Sequence, residues 1–172
     1  MKSGCRGNLK GVAKLFMESA EPGYSYISHR FVLLAKAAIP LLDWGFNKSD
    51  VVCDGIPFTV SRIFRLRDYL NRFRGNVQKL RLPEVAASCP IDDICHDLVV
   101  RSGVQDGIIY ICGTRGIPPS ASIRDPSRFA PRFYAWSQQL PSIGGNDAGL
   151  KMIVSFVPRI PFDYAAVRCD VL

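Results

Sequence analysis

Arg72 is the residue in this sequence whose position most favours chemistry. The apolar residues around it recur at intervals of three, four and three, which is the spacing of one helix face, and they are Leu70, Phe73, Val77 and Leu80. Arg72 lies next to that face, within the first turns of the predicted helix. From there a guanidinium can reach into a cleft and hold an anion through two parallel hydrogen bonds. A solvated arginine on an amphipathic helix is the alternative, and the local pattern leaves both open.

The segments before this helix are predicted to be strands. Residues 24–34 alternate apolar with polar side chains and are interrupted at 28–30, which predicts a hairpin. Residues 51–66 predict a second hairpin, with a turn somewhere in 58–62. Its end, which includes Ile63, Phe64 and Leu66, is apolar enough for a half-buried strand that runs straight into the helix.

A second helix and a central strand follow. Pro90 favours the first helical turn, and Ser102-Gly103 favours the helix end. The predicted buried stripe of this helix is Ile91, Ile94, Cys95, Leu98 and Val99. Residues 107–113 are strongly β-forming and predict a central strand that leads into the loop Thr114-Arg115-Gly116.

The remaining predicted elements are peripheral. A short helix is expected over 9–20, a loop over 117–132, and strands over 133–137 and 150–157. Gly45, between two aromatic residues, indicates positive φ or close backbone packing. Because hairpins and helices occur in blocks and do not alternate strictly, the sequence predicts an α+β domain in which helices pack on one face of an antiparallel sheet.

Composition limits the classes of partner. The chain has 172 residues, of which 48% are apolar, and a formal net charge of +7, which favours anionic partners. Basic residues form no run of five or more, so a nucleic-acid-binding arm is not predicted. No apolar run reaches the roughly 18 residues that a membrane span needs. Residues 2–17 hold four basic residues and no acidic one, which is typical of either a mitochondrial leader or an ordinary amphipathic helix.

The six cysteines do not form a recognised metal or redox motif. They are Cys5, Cys53, Cys89, Cys95, Cys112 and Cys169, and no two have C-x-x-C spacing. Cys53 and Cys112 lie in apolar runs, where a free cysteine acts as a small apolar residue. The Cys95-His96 pair lacks further ligands nearby, so no metal site is predicted. Reduced thiols fit a cytoplasmic protein best.

Three segments, taken in order, resemble the class IV (fold-type IV) PLP-dependent aminotransferases. This family includes branched-chain and D-amino-acid aminotransferases and (R)-selective amine transaminases. Residues 39–50 resemble its first signature, and residues 102–116 resemble its Ser-Gly, strand, Thr-Arg-Gly segment. Residues 64–73, Phe-Arg-Leu-Arg-Asp-Tyr-Leu-Asn-Arg-Phe, resemble its Phe-Arg-Leu-x-x-His-x-x-Arg-Leu signature.

The resemblance implies a small N-terminal α+β domain of the D-amino-acid aminotransferase-like fold, with pyridoxal 5'-phosphate (PLP) held between it and a larger domain. Residues 1–23 would then be a leader helix, 24–140 the small domain, and 141–172 a linker and the truncated start of the larger domain. By the same resemblance, Arg72 would grip the cofactor phosphate. Arg115 would recognise a substrate carboxylate, and its alternative is a loop arginine bound to backbone carbonyl groups. Cys53 would occupy the position of an aromatic residue that faces the bound molecules.

The sequence departs from the family at the catalytic lysine. In the family this lysine follows an Arg-Ile-Pro-Pro-like segment by about ten residues, and it forms the Schiff base that transamination needs. Arg159-Ile160-Pro161 matches that segment, but residues 162–172 contain no lysine. Tyr69 also replaces the histidine of the helix signature, and the turn in 58–61 lacks the family's glycine.

The expected function is therefore that of a PLP-dependent aminotransferase whose own activity is uncertain. The family transfers an amino group between an amino acid or amine and a 2-oxo acid, and it is typically dimeric. This chain is expected to be an inactive fragment that lacks the Schiff-base lysine. The alternative is a non-catalytic domain that pairs with a full-length paralogue.

Overall fold

The computed structural model describes residues 22–82, 89–120, 125–140, 153, 154 and 156. These residues form six strands and three α-helices. The strands are β1 (Tyr24–Ile27), β2 (Arg30–Leu33), β3 (Val51–Thr59), β4 (Arg62–Ile63), β5 (Gly107–Ile117) and β6 (Ala130–Gln139). The helices are α1 (Trp44–Asn47), α2 (Leu66–Lys79) and α3 (Ile91–Ser102). Single 3₁₀ turns occupy Leu34–Lys36 and Pro126–Arg128.

All six strands join one antiparallel sheet in the order β2-β1-β6-β5-β3-β4. Alternate residues of β3 are buried, and those on its buried side are Val52, Asp54, Ile56 and Phe58. This side packs with the apolar stripes of α2 and α3 into one core. The predicted α+β architecture is confirmed, with α2 and α3 on one face of an antiparallel sheet.

The start of α2 differs from the prediction. The helix begins at Leu66, and β4 ends at Ile63, so Phe64 and Leu66 do not continue the strand. Arg65 lies between the two elements with a left-handed backbone (φ 47°), and Phe64 is 55% exposed. The chain therefore turns sharply between strand and helix. Arg72 nevertheless lies in the second turn of α2, as the apolar spacing predicts.

The α3 stripe is confirmed at all five positions, because Ile91, Ile94, Cys95, Leu98 and Val99 are buried. Pro90 precedes the first helical residue and does not lie inside the first turn. Gly103 follows the helix with φ 65°, a left-handed C-terminal cap that glycine adopts readily.

Both predicted hairpins are present. Ser28 and His29 form the first turn with positive φ, and Val60 and Ser61 form the second. The left-handed conformation at Val60 (φ 48°) is unusual for a β-branched side chain. It occurs where the sequence lacks the glycine that the related signature carries.

β5 is longer than predicted. Thr114-Arg115-Gly116 was expected to be a loop, but the strand continues to Ile117. Its pairing with β6 is irregular between Thr114 and Ile117. Gly116 has φ 89°, and a Cβ there would lie 1.6 Å from the Ala130 carbonyl oxygen. Long-range pairing with β6 therefore extends the strand across residues whose local sequence favours a loop.

Several predicted elements lie outside the described residues. These are the helix over 9–20 and nearly all of the segment 141–172. Of the strand predicted over 150–157, Ile153, Val154 and Phe156 are described, and none of them is in a strand. Among the described residues, no helix is both long enough and apolar enough to span a membrane.

Candidate functional site

A cleft of about 410 Å³ lies on the face of the sheet away from α2 and α3. Its floor includes Val51, Cys53, Cys112 and Thr114, which alternate with the buried residues of the helix-covered face. Its walls are mainly apolar and include Leu34, Ala37, Ile39, Phe46 and Trp136. The segment 34–46, which overlaps the first family-like signature, thus forms one side of this cleft.

Asp43 fixes this segment to the sheet. Its carboxylate caps α1 by accepting a hydrogen bond from the Gly45 N–H at 2.8 Å. It also accepts hydrogen bonds from the hydroxyl groups of Tyr134 (2.6 Å) and Thr114 (3.1 Å). Burial and the adjacent Asp43 carboxylate raise the pKa of Tyr134. Asp43 is only 1% exposed, so these three donors replace the water that a carboxylate normally binds.

Gly45 has close backbone packing, which is one of the two predicted possibilities. A Cβ at this position would lie 2.3 Å from Cγ2 of Thr114, whereas positive φ is found at Gly103 and Gly116 among the described glycines. The absence of a side chain at Gly45 lets α1 lie directly on β5. Gly45, Asp43 and Thr114 all line the cleft, so this close packing lies at its edge.

Cys53 lines the apolar cleft, and its role as a substrate-side residue stays a prediction. Its direct partner across the β3–β5 pair is Cys112, which also lines the cleft. Cys53 is partly exposed, and Cys112 is 6% exposed.

Arg72 lies on the other face of the sheet, where it pairs with Asp54. Its Nε donates to Oδ2 of Asp54 at 2.9 Å, and its Nη2 donates to Oδ1 at 2.5 Å. The Asp54 side chain is 3% exposed, whereas that of Arg72 is 48% exposed. The Arg72 guanidinium also stacks on the Tyr69 ring, 4.9 Å from its centroid. Tyr69 therefore supports Arg72 at the position where the family signature has a histidine.

A second, more polar cavity of about 270 Å³ adjoins Arg72. It is lined by Phe64, Arg65, Asp68, Tyr69 and Arg72. The Arg65 Nε donates to the Asp68 carboxylate at 2.5 Å. The sharp turn at Arg65 brings two arginines of the second family-like signature to one cavity. Arg72 and Cys53 thus line different cavities, and the structure does not bring these two predicted site residues together.

Arg115 is held by the protein from several directions. Its Nε donates to Oδ2 of Asp50, and its Nη2 donates to Oδ1 of Asp50 at 3.2 Å. The guanidinium also donates to the carbonyl oxygens of Leu80 (3.3 Å) and Arg81 (3.1 Å), at the C-terminal end of α2. Its side chain is 12% exposed. These contacts are those of the alternative, an arginine bound to backbone carbonyl groups, and a substrate-binding role for Arg115 stays a prediction.

Sequence reasoning did not assign roles to the aspartates that position these arginines. Asp50 and Asp54 are 65 and 18 residues away from their partners. A signal for Asp54 exists in the sequence, because it lies at a position of β3 whose neighbours two residues away, Val52 and Ile56, are apolar. A carboxylate on the buried side of a strand needs a cationic partner or several hydrogen-bond donors.

The described residues meet only part of the requirements of a PLP site. Arg72 and Arg65 supply the kind of planar donors that bind a phosphate. The described lysines are Lys36, Lys48 and Lys79, and none of them lines either cavity. The described part of the chain therefore has arginines at a polar cavity, and none of its lysines lines either cavity to react with a cofactor aldehyde. It also contains no cluster of three or more potential metal ligands.

Solved structures that share this fold include several aminotransferases. A branched-chain amino acid aminotransferase of Escherichia coli matches with a TM-score of 0.61 and 16% identity, over 74% of this chain and 43% of its own length. The PLP form of a branched-chain aminotransferase from Thermobaculum terrenum matches with a TM-score of 0.55 and 22% identity, over 72% and 42%. A fold IV transaminase from Curtobacterium pusillum matches with a TM-score of 0.51 and 21% identity, over 65% and 38%.

No protein-family model matches the sequence. The chain spans less than half of the length of the structures that it matches. Within that span, the sheet with helices on one face is the arrangement found in the N-terminal domain of these enzymes. The described chain therefore has the fold of the N-terminal domain of fold-type IV aminotransferases, the class that its sequence motifs resemble.

Proposed function

We propose that this chain belongs to the class IV PLP-dependent aminotransferases and provides the small-domain side of their active site. The observation that carries the proposal is the placement of the family-like segments on a matching fold. Residues 39–50 overlap the wall of the apolar cleft, and residues 64–73 place Arg72 and Arg65 at a polar cavity. The parent activity would be amino-group transfer between an amino acid or amine and a 2-oxo acid.

Arg72 is the proposed phosphate contact. A buried aspartate fixes the direction of its guanidinium, and the Tyr69 ring supports one of its faces. Prior orientation lowers the entropy that the side chain loses when it binds an anion. PLP, when bound, supplies the electron sink for transamination, whereas the contribution proposed for Arg72 is limited to holding the phosphate.

Cys53 and Arg115 are proposed as substrate-side residues with different requirements. Cys53 faces the apolar cleft, on the face of the sheet away from Arg72, and would contact a molecule bound in that cleft. Arg115 would first have to exchange Asp50 for a substrate carboxylate. The ion pair that is lost and the ion pair that is gained would be of the same type, since one carboxylate replaces another. The exchange would also disturb the contacts of Arg115 with the end of α2.

We further propose that this polypeptide alone does not catalyse transamination. Residues 162–172, where the resemblance places the Schiff-base lysine, contain none. One charge-assisted phosphate contact contributes about 1.5–3 kcal/mol, and a millimolar dissociation constant requires about 4 kcal/mol. Arg72 alone would therefore hold PLP only weakly.

The proposal can be tested with a chimaera. Residues 22–140 would replace the corresponding part of the Thermobaculum terrenum aminotransferase, which would keep its own remaining residues. We expect the chimaera to bind PLP and to transaminate, and we expect Arg72→Gln to weaken PLP binding. The isolated chain, mixed with PLP, should show no Schiff-base absorbance band. A folded chimaera whose PLP affinity does not change with Arg72→Gln would contradict the proposed role.

A non-catalytic partner domain is the second candidate function. It is favoured by apolar side chains that are exposed beside the cleft, since Leu41 is 73%, Leu42 68% and Phe46 59% exposed. Exposed apolar groups so close in sequence are typical of an interaction surface. Gel filtration of the chain with and without a full-length relative would show a stable complex if this candidate is correct, and separate elution if it is wrong.

A further inference from the structure

Two cysteines face each other across the centre of the sheet. Cys53 of β3 and Cys112 of β5 are direct partners in a register that is continuous from Val51 to Phe58. Both side chains line the apolar cleft. They are 59 residues apart in sequence, and no local motif brings them together.

The hydrogen-bond pattern shows which kind of pair this is. The Arg115 N–H donates to the Asp50 carbonyl oxygen at 3.2 Å, so these two opposed residues form a hydrogen-bonded pair. Hydrogen-bonded and non-hydrogen-bonded pairs alternate along an antiparallel ladder. Counting three positions inward along both strands makes Cys53 and Cys112 a non-hydrogen-bonded pair. In such pairs the Cα atoms are about 4.5 Å apart, within the range of about 4.4–6.8 Å that disulfides occupy.

We propose that Cys53 and Cys112 form a reversible disulfide across the floor of the cleft. The oxidant is a small disulfide of the glutathione class. A bond between these residues would join two neighbouring strands of the sheet and change the chemistry of the cleft floor from two thiols to one disulfide. The inference rests on the register of the sheet and does not depend on the proposed aminotransferase function.

The reaction balances with one molecule of oxidant. The Cys53 thiolate attacks one sulfur of glutathione disulfide, and the first glutathione leaves as a thiolate that takes up a proton. The Cys112 thiolate then attacks the Cys53 sulfur of the mixed disulfide and displaces the second glutathione. Two protein thiols are oxidised to one disulfide, and one glutathione disulfide is reduced to two glutathione molecules.

The two thiols differ in a way that sets this order. The hydrogen bond between them lowers the pKa of Cys53 and raises that of Cys112, and burial raises the pKa of Cys112 further. Cys53 is also the more exposed of the two. Cys53 is therefore the thiol that meets the oxidant, because reactivity follows thiolate content and access.

Access from the cleft favours a labile disulfide over a permanent one. Cys53 is partly exposed, and both cysteines line the cleft. A disulfide at this position could therefore be reached by small thiols. Exposed disulfides are more easily reduced than buried structural ones.

The test uses the full 172-residue chain in glutathione buffers that range from reducing to oxidising. After each equilibration, acid quenching, alkylation and mass spectrometry of peptides would report the state of each thiol. We expect a peptide pair linked through Cys53 and Cys112, which forms in the folded protein and disappears on return to reducing buffer. Cys95 is the internal control, because burial raises its pKa to about 12 and should leave it reduced in the same samples.

Two variants test the order of the steps. Cys112→Ser should stop at a mixed disulfide, with one glutathione on Cys53. Cys53→Ser should leave Cys112 reduced in the folded chain. Circular dichroism would confirm that each variant is folded, and the wild-type peptide map decides the main point without them. The absence of the linked pair in oxidising buffer, or its formation only in denaturant, would overturn the proposal.

Discussion

Arg72 and Arg115 each form a two-pronged ion pair with an aspartate, but their exposure to solvent differs. Each donates through Nε and Nη2 to both oxygens of one aspartate, Asp54 for Arg72 and Asp50 for Arg115. Arg72 is 48% exposed and borders a polar cavity, whereas Arg115 is 12% exposed and also binds two carbonyl groups at the end of α2. An aspartate partner therefore does not by itself distinguish a ligand-binding arginine from a structural one. Exposure to solvent is the difference on which the role proposed for Arg72 rests.

The difference assigns two physical tasks. Arg115 joins β5, the residue that precedes β3, and the C-terminal end of α2, where a cation also interacts favourably with the helix dipole. Arg72 joins α2 to the middle of β3 and keeps half of its surface in contact with solvent. A half-exposed guanidinium can meet an anion at a lower cost in desolvation than a buried one.

Arg115→Gln is expected to have the largest effect on stability. The substitution removes hydrogen bonds to two carbonyl groups and leaves the Asp50 carboxylate, which is 24% exposed, without its cation. We expect the free energy of unfolding to fall by about 3 kcal/mol, because breaking a poorly solvated ion pair strands the remaining charge. Urea denaturation would measure the change. Arg115→Lys keeps the charge and loses the two-pronged geometry. Its free energy of unfolding should lie between those of the wild type and of Arg115→Gln.

Arg72→Gln is expected to lower the free energy of unfolding by less than Arg115→Gln does. It strands the Asp54 carboxylate, but water can reach the space that the half-exposed Arg72 side chain leaves, so we expect a loss of about 2 kcal/mol. Asp54→Asn should cost about 1 kcal/mol, because the amide oxygen still accepts from Arg72 and the arginine remains solvated. If Arg72→Gln destabilised the chain more than Arg115→Gln, the comparison between the two arginines would be reversed.

Asp43 is a buried carboxylate like Asp54, but it is held by hydroxyl groups and a backbone N–H and not by an arginine. The folded-state pKa of Tyr134 is raised above its ordinary value of about 10. A raised pKa means that the stabilisation is fully present below about pH 10 and is lost as the pH rises further. Tyr134→Phe should therefore reduce stability by about 1 kcal/mol at pH 7 and flatten its decline between about pH 10 and 11. Denaturation of wild type and variant at several pH values would measure this. If Tyr134 is not responsible, the stability of Tyr134→Phe should decline with pH as steeply as that of the wild type.

Local apolar patterns predicted much of this structure, and long-range contacts account for the differences. The α3 stripe and both hairpins follow from side-chain periodicity, which each segment carries by itself. Phe64 and Leu66 were placed in a strand because they are apolar, but the left-handed residue Arg65 separates them. β5 extends through Gly116 because β6 pairs with it from a distant part of the sequence.

The candidate site shows the same division. Arg72 could be recognised from its position on the helix and from the signature around it. The ion pairs of Arg72 with Asp54 and of Arg115 with Asp50 depend on how distant elements of the fold pack together. Local patterns in a single sequence do not give this information. The pairing of Cys53 with Cys112 is a consequence of sheet register in the same way.

The central proposal is that Arg72 is the phosphate contact of this chain. Its most direct test is an NMR titration that follows the Nε–H signals of both arginines, with pyridoxamine 5'-phosphate as ligand and pyridoxamine as the control without phosphate. We predict that the Arg72 signal shifts only with the phosphorylated ligand, with a dissociation constant of about 5–100 mM for a single charge-assisted contact. The Arg115 signal should not move. A shift at Arg115, or none at Arg72 at saturating ligand, would contradict the account.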